Sequence, residues 1–145
     1  MLPVISDNLY LLLAQATTHL ERALQQRLKR WELTATHYYV LDGIANDPFR
    51  HSSHYCALLC LDPGCFTRVL DKFEVRGLIA RDRSDTDRRL VRVRLLPAGI
   101  QLHAEARSAI DSAQAKILSQ LSSSEVHGLE SLIFRFRDSL EASAE

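Results

Sequence analysis

Leucines recur at three- and four-residue steps near the start of the chain, and this spacing predicts an amphipathic helix over residues 6–30. Leu33 and Thr34 then offer a cap for a second helix, which the Asn-Asp-Pro sequence at 46–48 ends. A shorter helix is predicted around 52–60, with its first or second serine (Ser52 or Ser53) as the cap. The first sixty residues are therefore predicted to form three helices.

A fourth helix is predicted over residues 63–76. Asp62 supplies a side-chain cap, and Pro63 occupies the first helical position, where a missing N–H costs nothing. Gly77 is placed to close the helix in a left-handed conformation. The apolar stripe of this helix consists of Phe66, Val69, Leu70 and Phe73. The helix is thus predicted to bury one side and to expose a polar side.

Beyond this helix the hydrophobic period changes from that of a helix to that of a strand. Residues 78–83 and 90–95 flank a polar turn at 84–87, which predicts a two-stranded antiparallel hairpin. A long helix from Pro97 to about residue 119 and a last helix after the capping box at 122–125 complete the pattern. Their predicted inward positions are Ile100, Ala106, Ile110, Ala113 and Ile117, then Val126, Leu129, Ile133, Phe136 and Leu140. The predicted fold class is mainly α with a small two-stranded β wing, in the order of a winged helix-turn-helix.

The composition is that of an ordinary soluble domain, with 145 residues, 46% hydrophobic and 25% charged. No apolar run is long enough to span a bilayer, and no basic stretch precedes an apolar segment at the start. We therefore expect neither a membrane span nor a signal peptide, and a cytoplasmic location.

The net charge of zero conceals a basic segment at 50–95, which contains ten Lys/Arg and six Asp/Glu. The predicted helix at 63–76 carries Arg68, suited to a guanine edge or a phosphate, and Lys72, suited to a phosphate. The hairpin adds the arginines Arg81, Arg83, Arg88, Arg89, Arg92 and Arg94. Cations on a loop tip suit a narrow minor groove, so the pattern indicates duplex-DNA binding.

The run from Asp62 to Arg81 resembles the recognition helix and first wing strand of the MarR family of transcription regulators. The segments 85–89 and 95–99 are similar to the wing of that family and its exit into the next helix. The resemblance implies homodimers that bind a pseudopalindromic operator, often as repressors, with release by a small ligand or by oxidation. It also implies a DNA-binding lobe at 33–96 and a helical dimerisation region at 1–32 and 97–145.

Carried over by position, the resemblance implies that Thr67 and Arg68 contact bases and phosphates, that Arg88 or Arg89 enters the minor groove, and that Asp87 braces a wing arginine. The expected DNA-contacting residues are Ser53, Gly64, Cys65, Thr67, Arg68, Lys72, Arg83, Asp87, Arg88 and Arg89. The chain departs from the family at three places: Tyr55-Cys56 replaces a Leu-Ala pair, Gly64-Cys65 replaces a small polar pair, and His37 lies near the position of a common Gln.

Three cysteines, Cys56, Cys60 and Cys65, lie within ten residues of one another, and their odd number does not indicate a disulfide framework. Cys65 lies near a helix N-terminus, which makes a redox switch conceivable, whereas small buried side chains are the commoner use of cysteine. Together with His51 and His54, two of these cysteines resemble a zinc-ligand string, but one continuous helix cannot direct all four to a tetrahedral centre. No metal or other cofactor is predicted.

Five ring-bearing side chains, Tyr10, His19, Trp31, His37 and Tyr38, are candidates for an effector pocket, with helix packing as the alternative interpretation. The sequence shows no nucleophile–base spacing, phosphate loop or paired carboxylates, so no enzymatic activity is predicted. Two alternatives remain open: a winged-helix module for protein–protein contact without a DNA target, and a thiol-based redox sensor that binds DNA.

Overall fold

The computed structural model describes residues 9–83 and 91–143. The elements are α1 (Leu9–Leu28), a single 3-10 turn (Lys29–Trp31), α2 (Ala35–Asn46), α3 (Ser52–Leu59), α4 (Pro63–Val75), β1 (Ile79–Arg83), β2 (Val91–Leu95), α5 (Pro97–Leu118) and α6 (Ser123–Ser143). This order confirms the predicted winged helix-turn-helix with a mainly α fold. Within the described ranges, no helix is both long and apolar enough to cross a bilayer.

The N-terminal caps predicted for α2 and α4 are present in the structure. Thr34 Oγ1 accepts from the backbone N–H of His37 at 3.1 Å, and His37 Nδ1 accepts from the backbone N–H of Thr34 at 3.0 Å, which is a complete capping box. At α4, Asp62 Oδ1 accepts from the backbone N–H of Cys65 at 2.9 Å, and Pro63 opens the helix. Gly77 has φ +67°, the left-handed conformation predicted for it.

The cap predicted for α3 was wrong. His51 is its N-cap residue, without a side-chain cap bond, and the helix already begins at Ser52. His51 pairs with Arg92 in an isolated antiparallel bridge beside β2. This pairing holds the chain extended up to residue 51, so neither Ser52 nor Ser53 occupies the flanking position that a capping side chain requires.

The chain divides into two compact units, Met1–Ala109 and Ile110–Glu145, and α5 crosses the boundary. In the first unit, Tyr55 is fully buried beneath α4, stacks on Phe66 with ring centroids 5.7 Å apart, and donates from its hydroxyl to the carbonyl of Asp47 at 2.7 Å. Phe73, Leu41 and the residues around them complete this core. The core thereby fixes the orientation of α4 against α2 and α3.

The inward positions predicted for the long helices hold only in part. Ala106 and Ile110 are buried, whereas Ile100 is 57% and Ile117 is 55% exposed. In the second unit, the apolar side of α6 is about half-exposed at Leu129, Ile133 and elsewhere. The inward orientation predicted for Ile100, Ile117, Leu129, Ile133 and Leu140 was therefore wrong for the described part of the chain, in which these side chains stay half-exposed.

The wing is joined closely to the start of α5. β1 pairs antiparallel with β2 from Ile79↔Leu95 to Arg83↔Val91. The backbone N–H of Leu96 donates to the carbonyl of Leu78 at 2.9 Å, and a Cβ placed on Gly99 would lie 2.1 Å from the same carbonyl oxygen. Only glycine therefore permits the first turn of α5 to pass so close to the backbone of Leu78.

Candidate nucleic-acid interface

The two sides of α4 are separated as the sequence predicted. Phe66, Val69, Leu70 and Phe73 are buried. Gly64, Thr67, Arg68 and Lys72 are exposed, and Cys65 is half-buried. The hydroxyl of Thr67 donates to the carbonyl of Pro63 at 2.8 Å and keeps its oxygen available as an acceptor. The helix therefore presents a small, polar and cationic surface that could enter a major groove.

A groove of about 370 Å³ lies between α2 and α4. It is lined by Thr34, Thr36, His37, Cys65, Arg68, Val69 and Lys72. The pKa of His37 is lowered, first by burial and then by the charges of Lys72 and Arg76. The neutral imidazole is the form that accepts the capping hydrogen bond from Thr34. Hydroxyls and two cations along this groove suit an anionic oxygen such as that of a phosphate.

Two of the wing arginines are engaged within the protein. Arg81 forms an ion pair with Asp71 of α4, and its Nε lies 3.6 Å from Glu74 Oε2. Its side chain is only 17% exposed. Arg94 Nε donates to Asp82 Oδ2 at 3.2 Å across the hairpin. The Arg81 contacts join the wing to α4, and the Arg94 contact joins the two strands of the wing.

The expected wing contacts Asp87, Arg88 and Arg89 lie outside the described residues. Arg83 ends β1 opposite Val91, and its side chain is likewise outside the description. Ser53 is exposed on the first turn of α3. The DNA contacts expected of these five residues stay predictions.

The three cysteines are free thiols, with Cys60 exposed and the other two half-buried. The pKa of Cys56 is raised, first by burial and then by the charge of Asp62. A raised pKa disfavours the reactive thiolate at this position. Among the described residues, no group of three or more His, Cys, Asp or Glu is arranged to hold a metal ion. His54 instead contacts Asp47, with Nε2 and Oδ2 2.9 Å apart.

The candidate effector residues are spread over several places. Tyr38 is buried and stacks on His103 at 6.3 Å, while Tyr10 and His19 are exposed on α1. His37 lines the groove beside α4. Trp31 lines a separate cleft with Arg30, Ala104, Glu105 and Ser108. Sequence reasoning missed Glu105, because its contact with Trp31 spans 74 positions and no local pattern indicates it.

A model of the MarR family matches residues 33–91, from the residue before the Thr34 cap to the first residue of β2. Residues 33–91 are therefore similar to the MarR family domain. This matched segment contains α2, α3, α4 and β1, and therefore both the groove and the exposed side of α4.

Solved structures extend the similarity of the fold beyond the matched segment. A cysteine-to-serine mutant of MarR from E. coli, in complex with operator DNA, is 24% identical with a TM-score of 0.81, covering 90% of this chain and 94% of that one. The transcriptional repressor CouR, bound to a 23-mer DNA duplex, is 23% identical with a TM-score of 0.83, covering 89% and 92%. The PcaV transcriptional regulator from Streptomyces coelicolor, in complex with its natural ligand, is 23% identical with a TM-score of 0.75, covering 86% and 91%. At these identities the comparison shows a shared fold.

Proposed function

We propose that this protein is a transcription regulator that binds duplex DNA, with α4 in the major groove and the wing along the backbone. The observation that carries the proposal is the exposed side of α4, where Thr67 is exposed and Arg68 and Lys72 line the groove formed with α2. MarR in complex with operator DNA and CouR bound to a DNA duplex share this fold, which supports DNA binding by this protein. Arg88 or Arg89 would reach the minor groove, with Asp87 as a brace.

The protein acts as a homodimer on a pseudopalindromic operator under this proposal. Support comes from the large exposed apolar side chains on α1 and, separately, on α6, because contiguous apolar surface usually marks an interface. They are Leu9, Tyr10, Leu11, Leu12 and Leu20 on α1, and Leu129, Leu132, Ile133, Phe134 and Leu140 on α6. Residues 1–32 and 97–145 would form the dimerisation region and 33–96 the DNA-binding lobe. Repression in the cytoplasm, relieved by an effector, completes the proposal.

Oxidation of Cys56 is disfavoured as the means of relief. The raised pKa of Cys56 reduces its thiolate fraction at neutral pH, and thiolates are the species that oxidants attack. Serine replacements of Cys56, Cys60 and Cys65 test the oxidative alternative. If a small molecule relieves repression, mild peroxide should release no more DNA from the wild type than from the triple variant, whereas greater release from the wild type would support relief by oxidation.

A mobility-shift titration with an operator-length duplex from the neighbouring chromosomal region tests DNA binding. Arg68→Ala should weaken binding at least ten-fold, and the slope of log affinity against log salt should fall by about 1. Lys116→Ala, which removes a cation from the end of α5, is the matched control and should bind as the wild type does. Binding that is indifferent to Arg68→Ala, or absent for every duplex, would instead favour a protein–protein interaction module.

A further inference from the structure

A cleft of about 670 Å³ in the first unit combines an aromatic ring with a fixed carboxylate, and α4 contributes nothing to it. It is lined by Arg30, Trp31, Ala104, Glu105 and Ser108. Trp31 Nε1 donates to Glu105 Oε2 at 3.1 Å, and Gln101 Nε2 donates to Glu105 Oε1 at 3.1 Å. The indole and the amide thus hold the carboxylate at one edge of the ring.

A cation from the chain itself already occupies the face of this ring. The guanidinium carbon of Arg30 lies 3.8 Å from the centroid of the Trp31 ring. The pKa of Glu105 is lowered, first by the hydrogen bond from Trp31, then by that from Gln101, and also by the positive charge of Arg30. The carboxylate therefore remains ionised beside the ring at neutral pH. An indole face next to a carboxylate is the arrangement by which proteins recognise organic cations.

We propose that this cleft binds a monovalent organic cation, a quaternary ammonium or protonated amine with an apolar body, which displaces the guanidinium of Arg30 from Trp31. The volume is within the range that accommodates a small organic ligand. Once the Arg30 guanidinium leaves the ring, Glu105 is the remaining charged group of the lining, and it favours a cation over an anion of the same size. The inference names a chemical class for the proposed effector, and only its regulatory consequence rests on operator binding.

Trp31 is the single tryptophan of the chain, so its fluorescence reports directly on the cleft. Benzyltrimethylammonium chloride is titrated into the full-length protein without DNA, and sodium phenylacetate at equal ionic strength serves as the charge-reversed control. We expect a saturable change of Trp31 emission with the cation and none with the anion. Because no DNA is present, a failure of operator binding leaves this result unaffected.

Two variants with opposite expected effects make the test specific. Arg30→Ala removes the internal competitor and should tighten cation binding about two- to five-fold. Glu105→Gln keeps the Trp31 hydrogen bond, removes the charge, and should weaken binding roughly ten-fold. Glu130→Gln on α6 is the control and should bind as the wild type does. A non-saturating response, an equal response to phenylacetate, or unchanged affinity in Arg30→Ala would overturn the proposal, and circular dichroism verifies that each variant is folded.

Discussion

Arg76 Nη2 donates a hydrogen bond to the backbone carbonyl of Trp31 at 3.0 Å, which joins the end of α4 to the turn that precedes α2. The two residues are 45 positions apart. Within the described part of the chain, Arg76 Nη1 is buried without a hydrogen-bond partner, so this single bond orients the guanidinium. The contact fixes one end of the helix that is proposed to read DNA.

Removal of this contact should loosen α4. Arg76→Ala is expected to lower the free energy of unfolding by roughly 1–2 kcal/mol, measured by urea denaturation, because a charge-assisted hydrogen bond to a half-buried carbonyl is lost. Arg135→Ala, which removes an exposed arginine of α6, should change it by less than about 0.5 kcal/mol. Equal stability of the two variants would show that the Trp31 contact contributes nothing.

Acid should weaken the fold through His37. Its pKa in the folded protein lies below the ordinary value of 6.5. As the pH falls below 6.5, the unfolded chain therefore takes up a proton that the folded chain resists, and the free energy of unfolding decreases until the pH passes the folded pKa. His37→Gln retains a side chain able to close the capping box and removes this titration. Urea denaturation at pH 7.5 and pH 5.5 measures how far the free energy of unfolding decreases between the two pH values. This decrease should be smaller in the variant than in the wild type, and identical decreases would contradict the assignment.

Gly99→Ala should destabilise the protein, because the added Cβ would meet the Leu78 carbonyl oxygen at 2.1 Å and both atoms belong to the backbone. We expect a loss of roughly 1–3 kcal/mol in thermal or chemical unfolding. Gly128→Ala is the matched control, because a Cβ there meets no atom within 4 Å and the position is inside α6. That substitution should stabilise the helix by about 0.5–1 kcal/mol. A stable Gly99→Ala variant would refute the close approach of α5.

Arg81 and Arg68 should differ in their effect on DNA binding. Arg81→Ala removes the pair with Asp71, so affinity for the operator should fall because the wing is no longer held against α4. The salt slope should stay near that of the wild type, since Arg81 neutralises a carboxylate and not a phosphate. Arg68→Ala should lower both affinity and slope. A reduced slope in Arg81→Ala would mean that this arginine contacts the DNA backbone after all.

The sequence was sufficient for the order of the elements and for the α4 surface, because these follow from local signals. The Asp62 cap, the Gly77 stop and the alternation in β2 each act within a few residues. Long-range pairs were not predictable. Nothing local indicates that Arg81 is neutralised by Asp71 or that Trp31 meets Glu105. Likewise, the role of His37 in the capping box became clear only from its ring geometry.

The ion pair between Arg81 and Asp71 also bears on how the protein adapts to its targets. Asp71 of α4 and Arg81 of β1 form an ion pair that joins the first wing strand to α4. Under the proposed function, the wing and α4 would therefore approach the DNA together. Tolerance for an altered half-site separation would then have to originate in other segments of the protein.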